Sequence, residues 1–156
     1  MSVVIVAADH PSLARDVERF LDELRDERRF FGPRAAANPK PFPSLIEALS
    51  GRDRFRFAAV ECGRIVGLAR IDAHGELFVA VVAERRGGGV GIQLCRAALR
   101  RAAELDLGTV VVRSTQRSEA VRRLCSQLGC VVIDHGRGRS DLILDADAAR
   151  YLRQSA

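Results

Sequence analysis

The sequence predicts an α/β fold with a mixed central sheet of six to seven strands, flanked by about four helices. The chain has 156 residues, the size of one ordinary domain, and its 47% of hydrophobic residues suffices for a substantial core. Strand-like and helix-like apolar patterns follow each other in the order β-α-α-β-β-β-α-β-α-β-β. Strands alternate with helices only in the second half, which favours a mixed sheet over a regular doubly wound one. We therefore expect one domain over residues 1–156.

The first half of the chain predicts a strand, two helices and a loop. The apolar run over 3–8 is strand-like, and the amphipathic stretch over 11–30 is helical. The acids and arginines of this helix are interleaved, which is typical of a solvated face. Four prolines between 31 and 44 predict a loop, and SLIEALS over 44–50 predicts a short helix that Gly51 ends. The apolar stripe of the first helix consists of Leu13, Val17, Phe20, Leu21 and Leu24.

The second half predicts a hairpin, a buried strand and then alternating helices and strands. Residues 54–61 alternate in polarity and form the hairpin with 64–72, closed by the two-residue turn Cys62–Gly63. The continuously apolar ELFVAVVA, residues 76–83, is typical of a strand covered on both faces. The remaining elements are helices over 90–107 and 118–129 and strands over 109–115, 130–136 and 140–146. The inner stripe of the first of these helices is Val90, Leu94, Ala98, Ala102 and Leu105.

Composition argues against several classes of function. The net charge is +5 and the pI about 9.7, but the 20 acids are interleaved with the arginines and there is no Trp to stack on bases. No leader and no apolar run of about 18 residues is visible. The four cysteines form no C-x-x-C pair and are expected as small buried apolar residues, and the three histidines are scattered. We expect a cytoplasmic protein and no nucleic-acid partner, membrane anchor or metal site.

The stretch ERRGGGVG, residues 84–91, joins the apolar strand to a helix through four glycines. Unpaired amides at a helix start carry partial positive charge, and glycines let an anion approach the backbone. The stretch lacks the lysine of a P-loop and the final glycine of G-x-G-x-x-G, but it fits R-x-x-G-x-G from Arg86 to Gly91. We predict a phosphate or pyrophosphate site, with a tight turn that binds no ligand as the alternative.

This loop and its surroundings resemble the GNAT superfamily of acyl-CoA-dependent N-acyltransferases. The family signature Q/R-x-x-G-x-G/A follows a central apolar strand and precedes a long helix, as FVAVVAERRGGGVGIQLCRAAL does. A second family segment, N-x-x-A-x-x-L-Y-x-x-x-G-F, is similar to SEAVRRLCSQLGC, in which Leu124 and Gly129 match while Ser118, Val121 and Cys130 differ. The resemblance covers nearly the whole chain and implies the GNAT fold.

The resemblance implies acetyl-CoA, or another short acyl-CoA, as co-substrate. The edge of the apolar strand would pair with the pantetheine through Val79, Val81 and Val82, and the amide of Val81 would polarise the thioester carbonyl. Backbone amides of the glycine loop would hold the pyrophosphate. These amides belong to Arg86, Gly87, Gly88, Gly89, Val90 and Gly91.

The resemblance also implies a general base, Glu76, ten residues before Arg86. A subgroup of bacterial protein-lysine acetyltransferases has a glutamate at this spacing, in a stretch similar to GELFVAVV. Partial burial would raise its pKa and suit it to accept a proton, either directly or through water. The alternative is a charged residue that caps the hairpin loop after His74–Gly75.

Two further features of the sequence can be compared with this family and its bacterial subgroup. Cys125 stands where many family members have a tyrosine general acid, and packing on an inner helix face is its alternative role. ERRFFGPR, residues 27–34, is similar to a segment that borders the acceptor site in the bacterial enzymes.

We expect an N-acetyltransferase that acts on a primary amine, with a protein lysine preferred and a small amine or aminoglycoside as the alternative. A second class of function is an acyl-CoA-binding sensor or scaffold with little turnover. The sequence leaves a homodimer open.

Overall fold

The computed structural model describes residues 2–30, 41–51, 55–113, 119–137 and 139–148. Within these ranges seven strands and four α-helices follow the predicted order. The strands are β1 (Val4–Ala7), β2 (Arg56–Glu61), β3 (Arg64–Ile71), β4 (Leu77–Val81), β5 (Thr109–Arg113), β6 (Val131–Gly136) and β7 (Arg139–Asp145). The helices are α1 (Ala14–Phe30), α2 (Pro41–Ser50), α3 (Val90–Glu104) and α4 (Glu119–Leu128). Single 3₁₀ turns lie at Pro11–Leu13 and Ala83–Arg85.

The seven strands form two sheets that meet at one point, where we predicted a single central sheet. The strand orders are β1-β2-β3-β4 and β5-β7-β6, and every named pair is antiparallel. The sheets are joined by one parallel bridge between Glu76 and Val111, where Val111 N–H donates to Gly75 O at 2.9 Å. The ladder does not continue beyond the bridge. The outer edge of β4, Leu77–Val81, therefore has no strand partner among the described residues.

The β2–β3 hairpin turns at Cys62–Gly63, as predicted. Both residues have positive φ, +51° and +74°, which is the backbone of a type I′ turn. The expectation that all cysteines are buried is wrong for Cys62, because the turn leaves its side chain exposed. Cys95 is buried, and Cys125 and Cys130 are half-buried.

The core is one hydrophobic cluster that runs through both sheets. Successive side chains of β3 from Ile65 to Ala69 are all buried, and because they point to alternate faces, both faces of β3 are covered. Helices α1, α2 and α3 all contact β3. The predicted stripe of α3 is confirmed at Val90, Leu94, Ala98 and Ala102, which are at most 4% exposed.

Three helix ends differ from the prediction by three residues. Helix α1 begins at Ala14 instead of 11, since Pro11–Leu13 form a separate 3₁₀ turn. Helix α3 ends at Glu104 instead of 107, because Asp106 takes a left-handed φ of +55° and interrupts the helix. Helix α2 begins at Pro41 inside the predicted loop, since proline is tolerated in a first helical turn. None of the helices in the described ranges is long and apolar enough to span a membrane.

Candidate functional site

The glycine loop has a backbone that other residues adopt only with strain. Gly87 and Gly89 have φ of +81° and +89°, and Gly89 is the N-cap of α3. A Cβ built at either position meets no heavy atom within 4 Å. The main chain at these two glycines therefore faces open space, and this fits a ligand that lies directly against backbone.

The start of α3 adds hydrogen-bond donors to this open space. Gln93 N–H donates to Gly89 O at 3.1 Å and makes the first intrahelical bond. The N–H groups of Val90, Gly91 and Ile92 consequently have no acceptor within the helix. The buried side chains of Val90 and Ile92, 4% and 8% exposed, hold this helix end against the core. The arrangement is suited to an anionic group such as a phosphate.

The open edge of β4 presents alternate main-chain groups. Val82 N–H donates to Val66 O at 2.9 Å, so the amide of Val82 faces β3. Strand alternation then turns the N–H and C=O of Val79 and Val81 away from β3, toward the open edge. Arg86 Nε donates to Val81 O at 3.0 Å. Of the three predicted edge residues, two point their main-chain groups outward and Val82 does not.

Glu76 lies at the bridge between the sheets, with its side chain 15% exposed. Its carboxylate pairs with Arg113 of β5, Nε to Oε1 at 3.0 Å. Its N–H donates to Asp72 Oδ1 at 2.9 Å, which fixes the turn before β4. Burial raises the pKa of the Glu76 carboxyl, Arg113 opposes this, and the negative charges of Asp72 and Asp141 add to it. The raised pKa makes this carboxylate a stronger base than an exposed glutamate.

The structure separates Glu76 from the outward-facing amides. At about 3.4 Å per residue along β4, Glu76 lies roughly 10 Å from Val79 and roughly 17 Å from Val81. Both distances are longer than a single hydrogen bond can span. These are main-chain separations, so the Glu76 side chain and a group bound at either amide would each span part of them, and water could carry a proton across the rest.

The other predicted residues lie elsewhere or outside the described ranges. Cys125 is half-buried against the core near Cys95, whose thiol pKa burial raises to about 12, with Cys125 contributing. This placement agrees with the packing role. In the segment over 27–34, residues 31–34 lie outside the described residues, and only Glu27 has a described side chain.

The acids that hold the glycine loop were missed by the sequence analysis. Glu27 of α1 accepts from Ala83 N–H and from Arg86, and the 9%-exposed Glu61 pairs with Arg85 at 2.5 Å. Glu27 is only 17% exposed, so the solvated-face interpretation of α1 is wrong there. Its spacing of four residues from Glu23 was the available signal, because such residues share one helix face.

Comparison with known proteins places this geometry among acetyltransferases. The sequence model described as acetyltransferase (GNAT) family matches residues 17–129. A PaiA N-acetyltransferase from Thermoplasma acidophilum, solved in complex with coenzyme A, is 13% identical, with a TM-score of 0.64 over 93% of this chain and 99% of that one. A GNAT-family acetyltransferase from Listeria monocytogenes is 11% identical, with a TM-score of 0.61 over 92% and 94%.

A chain of the NatC complex, solved bound to Gag peptide and CoA, is 14% identical, with a TM-score of 0.59 over 93% of this chain and 99% of that one. At these identities the likeness to solved structures establishes the fold. No curated protein sequence matches this chain.

Proposed function

Because the chain belongs to the GNAT family of acetyltransferases, which use acetyl-CoA, we propose that it transfers the acetyl group to the side-chain amine of a protein lysine. One observation carries the coenzyme-binding part of the proposal. The open glycine backbone at the start of α3 adjoins the unpaired edge of β4, so anion-binding and strand-pairing groups form one continuous surface.

The glycine loop would hold the pyrophosphate of the coenzyme through main-chain donors. The amides of Gly87, Gly89, Val90 and Gly91 would supply them, together with the positive end of the α3 dipole. The predicted amides of Arg86 and Gly88 are less suited, because they donate to Ala83 O and Arg85 O within the turn at 3.3 and 3.4 Å. The side chains of Arg85 and Arg86 pair with Glu61 and Glu27, so in our proposal they shape the loop without contacting phosphate.

The edge of β4 would orient the reacting end of the coenzyme. The N–H groups of Val79 and Val81 point outward and can donate to the pantetheine or to the thioester carbonyl. Acetyl-CoA supplies an activated acyl group and a thiolate leaving group. We assign carbonyl polarisation to Val79 or Val81, since the amide of Val82 is engaged with Val66.

Glu76 would accept the proton that the acceptor ammonium must lose before it becomes a nucleophile. Its raised pKa brings the carboxylate nearer to working pH, where a general base is most effective. Because more than one hydrogen bond separates it from the β4 amides, we propose that the proton travels through water.

The choice of acceptor rests on two observations. The NatC complex was solved with a peptide bound, which shows that a protein of this fold accommodates polypeptide. The negative charges of Asp72 and Asp141 act on Glu76, so three carboxylates lie in one region. This acidic surrounding favours a cationic acceptor, and it also supports a small polyamine or aminoglycoside as the second candidate.

Acetyl-CoA binding by calorimetry is the first test, with wild type compared to Gly89→Glu. The substitution forces a side chain into a left-handed backbone and places a negative charge where the pyrophosphate would lie. We expect binding by wild type and at least a hundredfold loss in the variant, as charge repulsion and strain add. Equal affinity in the variant would refute the assignment of the pyrophosphate site to the glycine loop.

Acetyl transfer to lysine peptides, compared with transfer to spermidine and an aminoglycoside, then identifies the acceptor. We expect Glu76→Gln to lower kcat by about a hundredfold or more, the usual contribution of a general base, while acetyl-CoA affinity stays unchanged. Turnover of the small amines alone would replace the lysine proposal with the second candidate. If Glu76→Gln turns over at the wild-type rate, Glu76 is not the general base.

A further inference from the structure

Glu27 connects helix α1 to the main chain that leads into the glycine loop. Its Oε1 accepts from Ala83 N–H at 2.8 Å, one turn before the glycines. Its Oε2 accepts from Arg86 Nη2 at 2.6 Å. Both carboxylate oxygens are thus engaged with the Ala83–Arg86 turn, although α1 lies more than fifty residues earlier in the chain.

Arg86 carries this connection on to the open strand edge. While its Nη2 is held by Glu27, its Nε donates to Val81 O at 3.0 Å. The guanidinium is therefore fixed on two sides and directed toward α1 and β4. Arg86 itself has an extended backbone with φ −66° and ψ 142°, and it leads directly into Gly87.

Neighbouring ion pairs also brace this turn, but through side chains. Arg64 of the hairpin pairs with Glu23 at 2.5 Å and with Glu84 at 3.3 Å, and Arg85 pairs with Glu61. Glu84 accepts from its own N–H within the turn, whereas Glu27 accepts from the main chain of the turn across the fold, from helix α1. Charge-assisted hydrogen bonds from a carboxylate of this low exposure are stronger than exposed ion pairs.

We propose that Glu27 is a positioning residue that sets the coenzyme loop before acetyl-CoA binds, by fixing the amide of Ala83 and the guanidinium of Arg86. This inference rests on the proposed coenzyme site at the glycine loop. It has two consequences. The loop is already ordered when the ligand arrives, so less conformational entropy opposes binding. The carbonyl of Val81 is occupied by Arg86, so a strand-like ligand pairs with the N–H of Val81 and not with its C=O.

The test compares Glu27→Ala and Glu27→Gln with a matched control on the same helix, Asp22→Asn. Asp22 is 68% exposed and pairs with Arg25, three residues further along the same helix. Two quantities are measured for each protein: the Kd of acetyl-CoA by calorimetry, and the hydrogen-exchange rate of the Ala83 amide without ligand. Far-UV circular dichroism establishes that each variant is folded at the working temperature.

We expect Glu27→Ala to raise the Kd about tenfold and Glu27→Gln about threefold, because glutamine retains an oxygen for Ala83 but loses the charge toward Arg86. Exchange of the Ala83 amide should accelerate about tenfold or more in Glu27→Ala, while core amides of β3 keep their protection. Asp22→Asn should change neither quantity. If Glu27→Ala does not fold, Arg86→Met removes the same ion pair from the loop side and should raise the Kd in the same direction.

The inference would be overturned if Glu27→Ala bound acetyl-CoA with the Kd of wild type, or if its Ala83 amide exchanged at the wild-type rate. Failure of the proposed coenzyme site looks different, because wild type itself would then not bind acetyl-CoA. In that case the exchange rate of Ala83 still decides whether Glu27 fixes the turn.

Discussion

Arg56 shows how a single residue can join three elements of this fold. Its side chain is 4% exposed, and the guanidinium donates to Ala8 O at 2.8 and 3.3 Å. It also donates to Leu49 O and Ser50 O, both at 3.3 Å, at the end of α2. Carbonyls that end a helix lack intrahelical partners, so a buried arginine there satisfies groups that water does not reach. Arg56 is therefore buried, although it alternates with the apolar Phe55 and Phe57 along the chain.

The titration of Glu76 gives a test at the residue scale. Burial raises its pKa above that of the unfolded chain, so the folded protein binds this proton more tightly. The stability that this group contributes is present in full below its pKa in the unfolded chain. It is lost as the pH rises through its pKa in the folded protein. Glu76→Gln removes the titration. We expect the free energy of unfolding of the variant, relative to that of wild type, to increase from about pH 4 to about pH 7.5. These two values bracket the upper part of the pH range in which glutamates titrate.

Urea denaturation at the two pH values measures this difference, with Glu104→Gln on the exposed side of α3 as control. The charges facing Glu76 are Arg113 on β5, Asp72 in the preceding turn and Asp141 on β7. A difference that stays constant or shrinks as pH rises would mean that the Arg113 pair outweighs burial.

At the scale of elements, the contact of α3 with β3 depends on Gly67. A Cβ at this position would lie 2.7 Å from Leu94 Cδ1 and 3.2 Å from Ala80 O. Leu94 is fully buried, so its side chain cannot move aside into solvent. We expect Gly67→Ala to lower the free energy of unfolding by about 1–3 kcal/mol, the usual cost of overpacking a core.

Gly88→Ala is the matched control for Gly67→Ala. Its φ is not in the left-handed region, and the added Cβ would come no closer than 3.4 Å to Arg85 O. We expect a change within about 0.5 kcal/mol, as is usual for exposed positions. Urea denaturation of both variants provides the comparison, and equal stability of Gly67→Ala and wild type would show that α3 shifts without cost.

The order of elements was predictable because each helix and strand carries its own periodicity. The hairpin turn was predictable too, since a type I′ turn requires positive φ and Gly63 provides it. The glycine loop followed from the same rule at Gly87 and Gly89. The periodicity of β4 does not determine which strand lies beside it, so the split into two sheets was not predicted. The partner of Arg86 was not predictable either, because Glu27 is 59 positions away in the chain and only the tertiary fold brings them together.

At the scale of the whole molecule, the two sheets share one core, and within the described ranges one backbone bridge joins them. Val110 and Leu144 of the second sheet belong to the same buried cluster as Leu68 and Leu77 of the first. Helix α3 packs against the first sheet and against α4, and α4 contacts β7. Helices thus help to hold the sheets together, and the backbone bridge described between β4 and β5 lies at Glu76. A ligand seated between β4 and β5 would add contacts that join the two halves.

Acetyl-CoA should therefore raise the melting temperature of the whole molecule. A ligand at about a hundred times its Kd stabilises the folded state by about 2.7 kcal/mol. For a chain of this size each kcal/mol shifts the midpoint by about 2–4 °C, so we expect a rise of about 5–10 °C. Calorimetric melting at increasing acetyl-CoA concentration measures it, with Gly89→Glu as the control that should shift by less than about 1 °C. An equal rise in Gly89→Glu would place the coenzyme away from the glycine loop, and no rise in wild type would mean that the opening between the sheets binds no coenzyme.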